Sequence, residues 1–571
     1  MEKTCARTGK KFDVSEKEKA LCERMKVPLP VLCPEERIRD VMATRNEWKL
    51  YRRKCDFSGD TIISAYDNDV PFPVYKNEVW WGDDWNALDF GRDFDFDRPF
   101  FEQFKELQQL VPREGTTVFN SQNCDYNSHI RESKNCYLCS LVYRCEDTHY
   151  SYWVVNDKDV CDSFLTNDST LCYACCNVNK CYECVAVEEA TNCTDCHFSY
   201  QLVGCKNCIF CSNLANQEYM ILNKKCTQAE FEAKKVEILN GSFKDYEEAY
   251  AKFLAEVKGK ATHRYVHNLN CENCTGDHIY DCKKCDNCYE SFNAEDGFNS
   301  ISLSGSRDAH NCYSAGWPAC DMIYYSAVTR GSTDVAFCSY TFFSSSLRYC
   351  DSCNFCESCF GCIGLSHKKY CILNKQYSKE EYEELLPKII AQMEGDEAWG
   401  KFFPPSTSVY SYNETSAQDY FPLTEKIATS VDWTWKEKNL ADYRPASIDV
   451  VPDKVSDIDD DFVKEILACR DCAKNYKIQD FELKFYRKMN LPVPRDCPEC
   501  RHGKRFKRKE PLALSQRKCD ACGEGILSTF PSQGAGGQIH TAKLRVQGAG
   551  GQRHSAAPRV YCDKCYLQEL Y

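Results

Sequence analysis

The residues best placed to do chemistry are four C-x-x-C pairs near the C-terminus: Cys469/Cys472, Cys497/Cys500, Cys519/Cys522 and Cys562/Cys565. A pair at this spacing on a tight knuckle aims two sulfurs at one point, and two pairs complete the four-thiolate tetrahedron that suits Zn2+. One such pair would also serve as a redox dithiol. Four in succession predict two structural zinc sites with no open ligand position, and so no catalytic zinc. Pairing in order gives one site from Cys469, Cys472, Cys497 and Cys500 and another from Cys519, Cys522, Cys562 and Cys565; spacing alone leaves a cross-braced pairing open.

Between the two sites runs Arg501-His-Gly-Lys-Arg-Phe-Lys-Arg-Lys509. Arg501, Lys504, Arg505, Lys507, Arg508 and Lys509 around an aromatic, on a rigid zinc scaffold, suit contact with phosphates and a stacked base. The competing reading is an ordinary solvated face that offsets the negative zinc-thiolate centres. The chain's net charge of -13 argues against wrapping nucleic acid in bulk but leaves room for a local basic patch. RNA, a ribonucleoprotein or DNA is the expected partner class, with docking of a protein as the other use of the module.

Cys469-Arg-Asp-Cys-Ala-Lys-Asn-Tyr, then Glu482-Leu-Lys-Phe-Tyr486, then Pro494-Arg-Asp-Cys-Pro-Glu-Cys-Arg-His502 resembles the small bacterial "probable zinc-ribbon" domain. The resemblance implies one zinc on the two C-x-x-C pairs, and so the sequential pairing. The whole layout, terminal modules flanking cysteine-rich repeats, also resembles large uncharacterised proteins of ultra-small bacteria. Some of those carry a CaiB/BaiF acyl-CoA transferase label, but a twelve-residue cysteine repeat with zinc knuckles is not an α/β transferase pattern.

The N-terminus is a second copy of the module, because residues 5–66 align without a gap to residues 469–530 at an offset of 464. The ligands have changed: Thr8, Glu36 and Ser58 stand where the other copy has Cys472, Cys500 and Cys522, and Lys76 and Val79 replace the last pair. This copy is expected to be metal-free, with a remnant Cys5/Cys33/Glu36 site as the alternative. It keeps Arg52-Arg-Lys54, some of the basic surface.

What must position these modules is the middle of the chain. From Cys124 to Tyr219 the sequence stacks in rows of twelve: Cys124, Cys136, Thr148, Val160, Cys172, Cys184, Cys196, Cys208 form one column, and Asn127, Cys139, Ser151, Ser163, Cys175, Val187, Ser199, Cys211 lie three places on. A third column starts at Ile130, and a fourth supplies Cys145, Cys181, Cys193 and Cys205. A second copy spans about Thr275 to Cys371, with Ser302, Ser314, Ser326, Cys338, Cys350 and Cys362 as its clearest column. Tyr219-Met-Ile-Leu-Asn-Lys224 returns as Tyr370-Cys-Ile-Leu-Asn-Lys375. Twelve residues are too few for a helical hairpin and enough for one coil of a narrow β-solenoid. The expected fold is therefore mainly β: two short-coil, Cys-rich β-solenoid lobes with helical caps, flanked by small zinc-ribbon-like modules.

The chain has 571 residues and 42 cysteines. A charged N-terminus with no signal-like apolar run, and no stretch of transmembrane length, predicts a soluble cytoplasmic protein without membrane contact, where thiols stay free or metal-bound. Stacked pairs such as Cys181/Cys184, Cys193/Cys196 and Cys205/Cys208 could make ladders for Zn2+ or Cu(I), giving a metal store or thiol redox buffer. Against this, the columns accept Ser, Thr, Val and Asn, as packing would and a ligand set would not.

The expected units are a degenerate ribbon (1–79), an aromatic and acidic cap with a helix from Phe100 to Leu110 (80–118), lobe one (119–226), a helical spacer broken near Asn240-Gly241 (227–262), lobe two (263–377), a helical cap (378–400), a loosely structured linker (401–460) and the two-site module (461–571). Asp459-Asp-Asp461 reads as a helix cap before it reads as a cation site. The tandem repeat within 533–560 reads as an expanded loop, with His540 and His554 unneeded as ligands. No P-loop, dinucleotide fingerprint, H-E-x-x-H or nucleophile elbow occurs, so the expected role is a non-enzymatic zinc-binding scaffold that docks a partner.

Overall fold

From His129 to Leu222 every third residue has φ between 48° and 61°, although only Gly204 among them is a glycine. The chain, a computed structural model that describes residues 1–305, 307, 309–314, 320–325, 327–530 and 558–570, thus advances as two extended residues and a left-handed corner. The residue after each corner is buried at every step from residue 130 to residue 211. Strands alternate between two parallel sheets and pair at a constant separation of twelve: Val142, Val154, Thr166, Val178, Ala190, Leu202 and Leu214 follow one another in one sheet, and Val160, Cys172 and Cys184 in the other.

A left-handed non-glycine residue costs roughly 1–2 kcal/mol. The interior offsets that cost by hydrogen bonding. The Ser163 Oγ accepts from the Cys175 N–H at 3.2 Å, Ser169 Oγ from Cys181 N–H at 3.1 Å, Asn127 Oδ1 from Cys139 N–H at 2.8 Å and Cys139 Sγ from Ser151 N–H at 3.4 Å. Each bond joins a residue to the one twelve positions on. The same side chains donate to a carbonyl two residues back, as Ser163 does to Cys161 O at 3.0 Å and Cys175 to Tyr173 O at 3.5 Å. A small side chain that both accepts and donates is what the site requires, hence Ser, Cys and Asn in one column.

The second lobe is built alike, with Cys359 pairing with Cys371 and Ile323 with Val335, but its register corrects the column expected for it. Tyr313 pairs with Ala327 and Ala309 with Ile323, so two residues are inserted in that turn. Ser302 and Ser314 accordingly sit at left-handed positions, with φ of 60° and 72°, while Ser300 and Cys312 take the fully buried inward places. Ser326 lies outside the described residues.

The two terminal modules correspond element for element. Helix Pro34–Met42 matches Pro498–Phe506, and hairpin Tyr51–Lys54/Thr61–Ser64 matches Ser515–Lys518/Gly525–Ser528. Each docks on the lobe that lies farther from it in the sequence. The N-terminal module shares a core with Tyr324, Ala336, Phe360 and Ile372 of lobe two, and the C-terminal module with Tyr173, Val185 and Ile209 of lobe one. The lobes also meet directly, where the Tyr152 and Tyr313 hydroxyls stand 2.5 Å apart.

Helix Phe100–Leu110 forms over the expected residues, although Asp97 does not cap it; Pro99 holds the cap position without a side-chain bond. With the Trp80 region it covers the last coil of lobe two: Phe100 packs on Phe360, Arg92 N–H donates to Leu373 O, and a Cβ on Gly91 would lie 2.6 Å from Asn374 O. Helices Gln228–Ile238 and Lys379–Gly395 open on capping boxes at Thr227 and Ser378. Asp459 caps the short helix Asp460–Lys464. Residues 401–460 have little regular structure but are packed: Tyr412 and Ala417 are fully buried, and Ser416 N–H donates to Arg45 O. Among the described residues no helix is long and apolar enough to cross a membrane.

The corners give a test. Lys180 is exposed at φ 53°, whereas exposed Lys206 starts an ordinary strand. Lys180→Gly should leave stability unchanged or raise it by up to about 1 kcal/mol, and Lys206→Gly should lower it by about 1 kcal/mol, both read from denaturant unfolding.

Candidate metal centres and the helix between them

Each cysteine pair is positioned by a hairpin or a helix start. Cys469 follows the strand Leu467–Ala468, and Cys497 is the N-cap of helix Pro498–Phe506 with Pro498 at its first position. Cys519 follows Ser515–Lys518, and Cys562 stands just before helix Asp563–Leu570. The ligand atoms of Cys469, Cys472, Cys497 and Cys500 lie within 4.8 Å of one another, as do those of Cys519, Cys522, Cys562 and Cys565. The sequential grouping is therefore the one present.

Sulfur separations fit a tetrahedral ion. Cys472 and Cys497 are 3.7 Å apart and Cys522 and Cys562 3.8 Å, where metal–sulfur bonds of about 2.3 Å would set tetrahedral edges of about 3.8 Å. The hydrogen bond with Cys500 pulls the Cys497 thiol down to about 5. At Cys519 burial acts the other way, but backbone N–H groups of Cys522, Cys562 and Ala521 bring it down to about 6. Cys497 N–H donates to Cys469 Sγ at 3.2 Å and Cys562 N–H to Cys519 Sγ at 3.3 Å. Both groups could hold a metal ion.

The N-terminal counterparts keep the knuckles and have lost the sites. Lys76 N–H still donates to Cys55 Sγ at 3.3 Å, the bond that Cys562 makes to Cys519. Glu36, which the alternative reading made a remnant ligand beside Cys5 and Cys33, is held by Arg7 at 3.1 Å and Arg39 at 2.6 Å, and Arg7 also grips Asp40 at 2.6 Å. Around Cys55, Lys76 pairs with Asp60 at 2.6 Å and Ser58 donates to it at 2.9 Å. Ion pairs and hydrogen bonds stand where the other copy gathers sulfurs.

The basic run divides by direction. Arg501 pairs with Asp162 of lobe one and with Glu482 at 3.3 Å, its guanidinium 4.5 Å from the Tyr150 ring centre. Arg505 pairs with Asp162 at 2.6 Å and donates to Tyr150 O at 2.9 Å; Arg508 pairs with Glu188 at 2.6 Å, and Lys509 with Glu290. Asp162, Glu188 and Glu290 all belong to the repeats. Those four cations face inward, which corrects the expectation that all six front a nucleic-acid partner. Lys504, paired with Asp496 at 2.7 Å, and Lys507 remain exposed. Arg501 and Arg505, at i and i+4, are neighbours on the helix, and Arg508 lies just beyond its end. His502 packs against Trp48 of the N-terminal module at 3.9 Å between ring centres, so the two modules touch.

A third group, Glu189, His267 and His278, also lies within ligand distance and belongs to no sequence motif. His540 and His554 lie outside the described residues. No family model matches this chain, and no curated protein matches it.

Cys500→Ser should remove one thiolate-bound ion per chain, and Cys33→Ser none, as counted by elemental analysis of the purified chain.

Proposed function

We propose that this chain is a non-catalytic, zinc-braced scaffold: two narrow β-solenoid lobes locked to each other by a pair of ribbon modules, of which the C-terminal one holds two structural Zn2+ ions. Closed sets of four thiolates favour zinc and leave no position for a substrate. The observation that carries the reading is the helix that starts at the first thiolate centre. Its inward face, Arg501 and Arg505, with Arg508 just beyond it, is committed to acids of lobe one.

The metal-store alternative finds less support. Among the described residues the groups of three or more ligand atoms that converge include none of the repeat cysteines, whose sulfurs are engaged with backbone N–H and C=O groups. Docking of RNA, DNA or a ribonucleoprotein rests on Lys504 and Lys507 once the inward cations are set aside, and two phosphate contacts make a weak footprint.

Hydrogen exchange tests the brace. Stripping the metal, or Cys500→Ser, should raise exchange in strands Thr170–Tyr173 and Tyr182–Val185 while strands of lobe two under the metal-free module keep their protection; unchanged exchange in both lobes would sink the reading. Arg501→Met should cost about 3–5 kcal/mol by leaving buried Glu482 without its cation, and Lys507→Met should stay within about 0.5 kcal/mol. A single-stranded RNA probe should show no salt-sensitive binding that responds to Lys504→Gln with Lys507→Gln.

A further inference from the structure

Glu189 comes from lobe one, on strand Glu188–Thr191; His278 comes from lobe two, on strand Gly276–Tyr280; His267 precedes that strand; and Glu510 follows the basic helix of the C-terminal module. All four side chains are at least five-sixths buried, and Glu189, His278 and Glu510 line a polar cavity of about 30 Å³, room for an ion or one or two waters. We infer that this junction is a third metal site, in which Glu189, His267, His278 and Glu510 bind one divalent first-row transition cation and staple the two lobes and the module together.

The separations motivate it. His267 Nε2 stands 3.9 Å from Glu189 Oε2, His278 Nε2 3.9 Å from Glu189 Oε1, and His278 Nε2 3.9 Å from Glu510 Oε2. Each is too long for a hydrogen bond. Each also spans the gap that an ion bonded at roughly 2.0–2.2 Å to nitrogen and oxygen would fill after a small contraction. The two imidazoles lie parallel, 7° between planes with centres 4.7 Å apart, and present the same edge to Glu189.

The surroundings hold the imidazoles as a metal site does. His267 Nδ1 is 3.3 Å from Asp277 Oδ1, and that carboxylate is itself fixed by the N–H groups of His267 and His278, at 2.6 and 2.9 Å, and by Thr529 Oγ at 2.8 Å. A carboxylate on the far nitrogen sets the tautomer that leaves Nε2 as a lone pair, which accepts from Gln201 Nε2 at 3.2 Å, a bond that a bound ion would displace. The Asn177 amide nitrogen stands 3.1 Å from His278 Nδ1 and donates to Glu189 Oε2 at 2.6 Å.

The cations nearby have partners of their own. Lys258 and Arg508 are both paired with Glu188 at 2.6 Å, and Lys509 with Glu290. Among the described residues the ion pairs of Glu189, Asp277 and Glu510 are with these imidazoles. Imidazole with carboxylate suits Zn2+, Mn2+, Fe2+ or Co2+, in contrast to the sulfur centres.

The test uses the full chain with its thiolate groups filled by Zn2+, titrated with Zn2+, Mn2+ or Co2+ and followed by elemental analysis. The expected result is one further ion per chain, three in all. Glu189→Gln should weaken that uptake at least tenfold, and His278→Gln should abolish it, with the thiolate-bound zinc unchanged in both. Failure of the parent chain to take up a third ion would overturn the proposal without recourse to any variant. Uptake that both substitutions leave untouched would overturn it as well.

Discussion

Everything in this molecule depends on how a very narrow coil satisfies its own backbone. With a left-handed corner every third residue, the chain turns too often for the strand ladders to engage every N–H group. The inward Ser, Cys, Asn and Asp side chains take up part of the remainder by accepting from the N–H twelve residues on, and Ser and Cys also donate to a carbonyl two residues back. A thiol is the residue that does this while still packing as a small apolar group. The repeat cysteines thus bond to the backbone within their own coils, while the C-terminal pairs gather into two four-sulfur groups.

A second constraint follows from the first. Coils filled by small side chains have little apolar material inside, so much of each lobe's stabilisation comes from what lies on its outer faces. Lobe one is covered by the aromatic and arginine face of the C-terminal module, lobe two by the matching face of the N-terminal module and by helix Phe100–Leu110. The duplication kept what docking needs. Glu18 pairs with Arg37 at 2.6 Å, and their counterparts Glu482 and Arg501 pair at 3.3 Å, all of them buried. It relaxed what metal binding needs, since the degenerate copy holds its knuckle with Arg7, Glu36 and Asp40. Opposite charges in contact do part of a metal's work there, without a free ion.

The sequence carries its periodic and local features openly and hides the long-range ones. The twelve-residue period, the duplicated module, the sequential cysteine pairs and helix Phe100–Leu110 are all patterns within one stretch of chain. The left-handed corners are not legible, because Leu141, Trp153, Lys180 and Phe198 occupy them without the glycine that usually marks such a conformation. The misplaced Ser302 and Ser314 arise from a two-residue insertion that leaves the spacing of later cysteines intact. The packing of 401–460 is hidden because its partners, such as Arg45, lie hundreds of residues away. The same holds for the acids Asp162, Glu188 and Glu290 that turn the basic run inward, and for Glu189 meeting His267 and His278.

Why the basic run adjoins a thiolate centre can be argued from energetics. Pro498–Phe506 is a nine-residue helix, shorter than a helix that is stable alone in water, yet it must present Arg501 and Arg505 to a single carboxylate, Asp162. Buried ion pairs recover their desolvation cost only when geometry is nearly fixed in advance. Two of the four sulfurs, Cys497 and Cys500, sit at the N-cap and in the first turn, so a metal held there would fix the start of the helix. The arginines then reach acids whose positions the coil has already set. In the N-terminal copy the demand is smaller. Arg37 finds Glu18 within its own module, so the fold retains the dock after the metal ligands are gone.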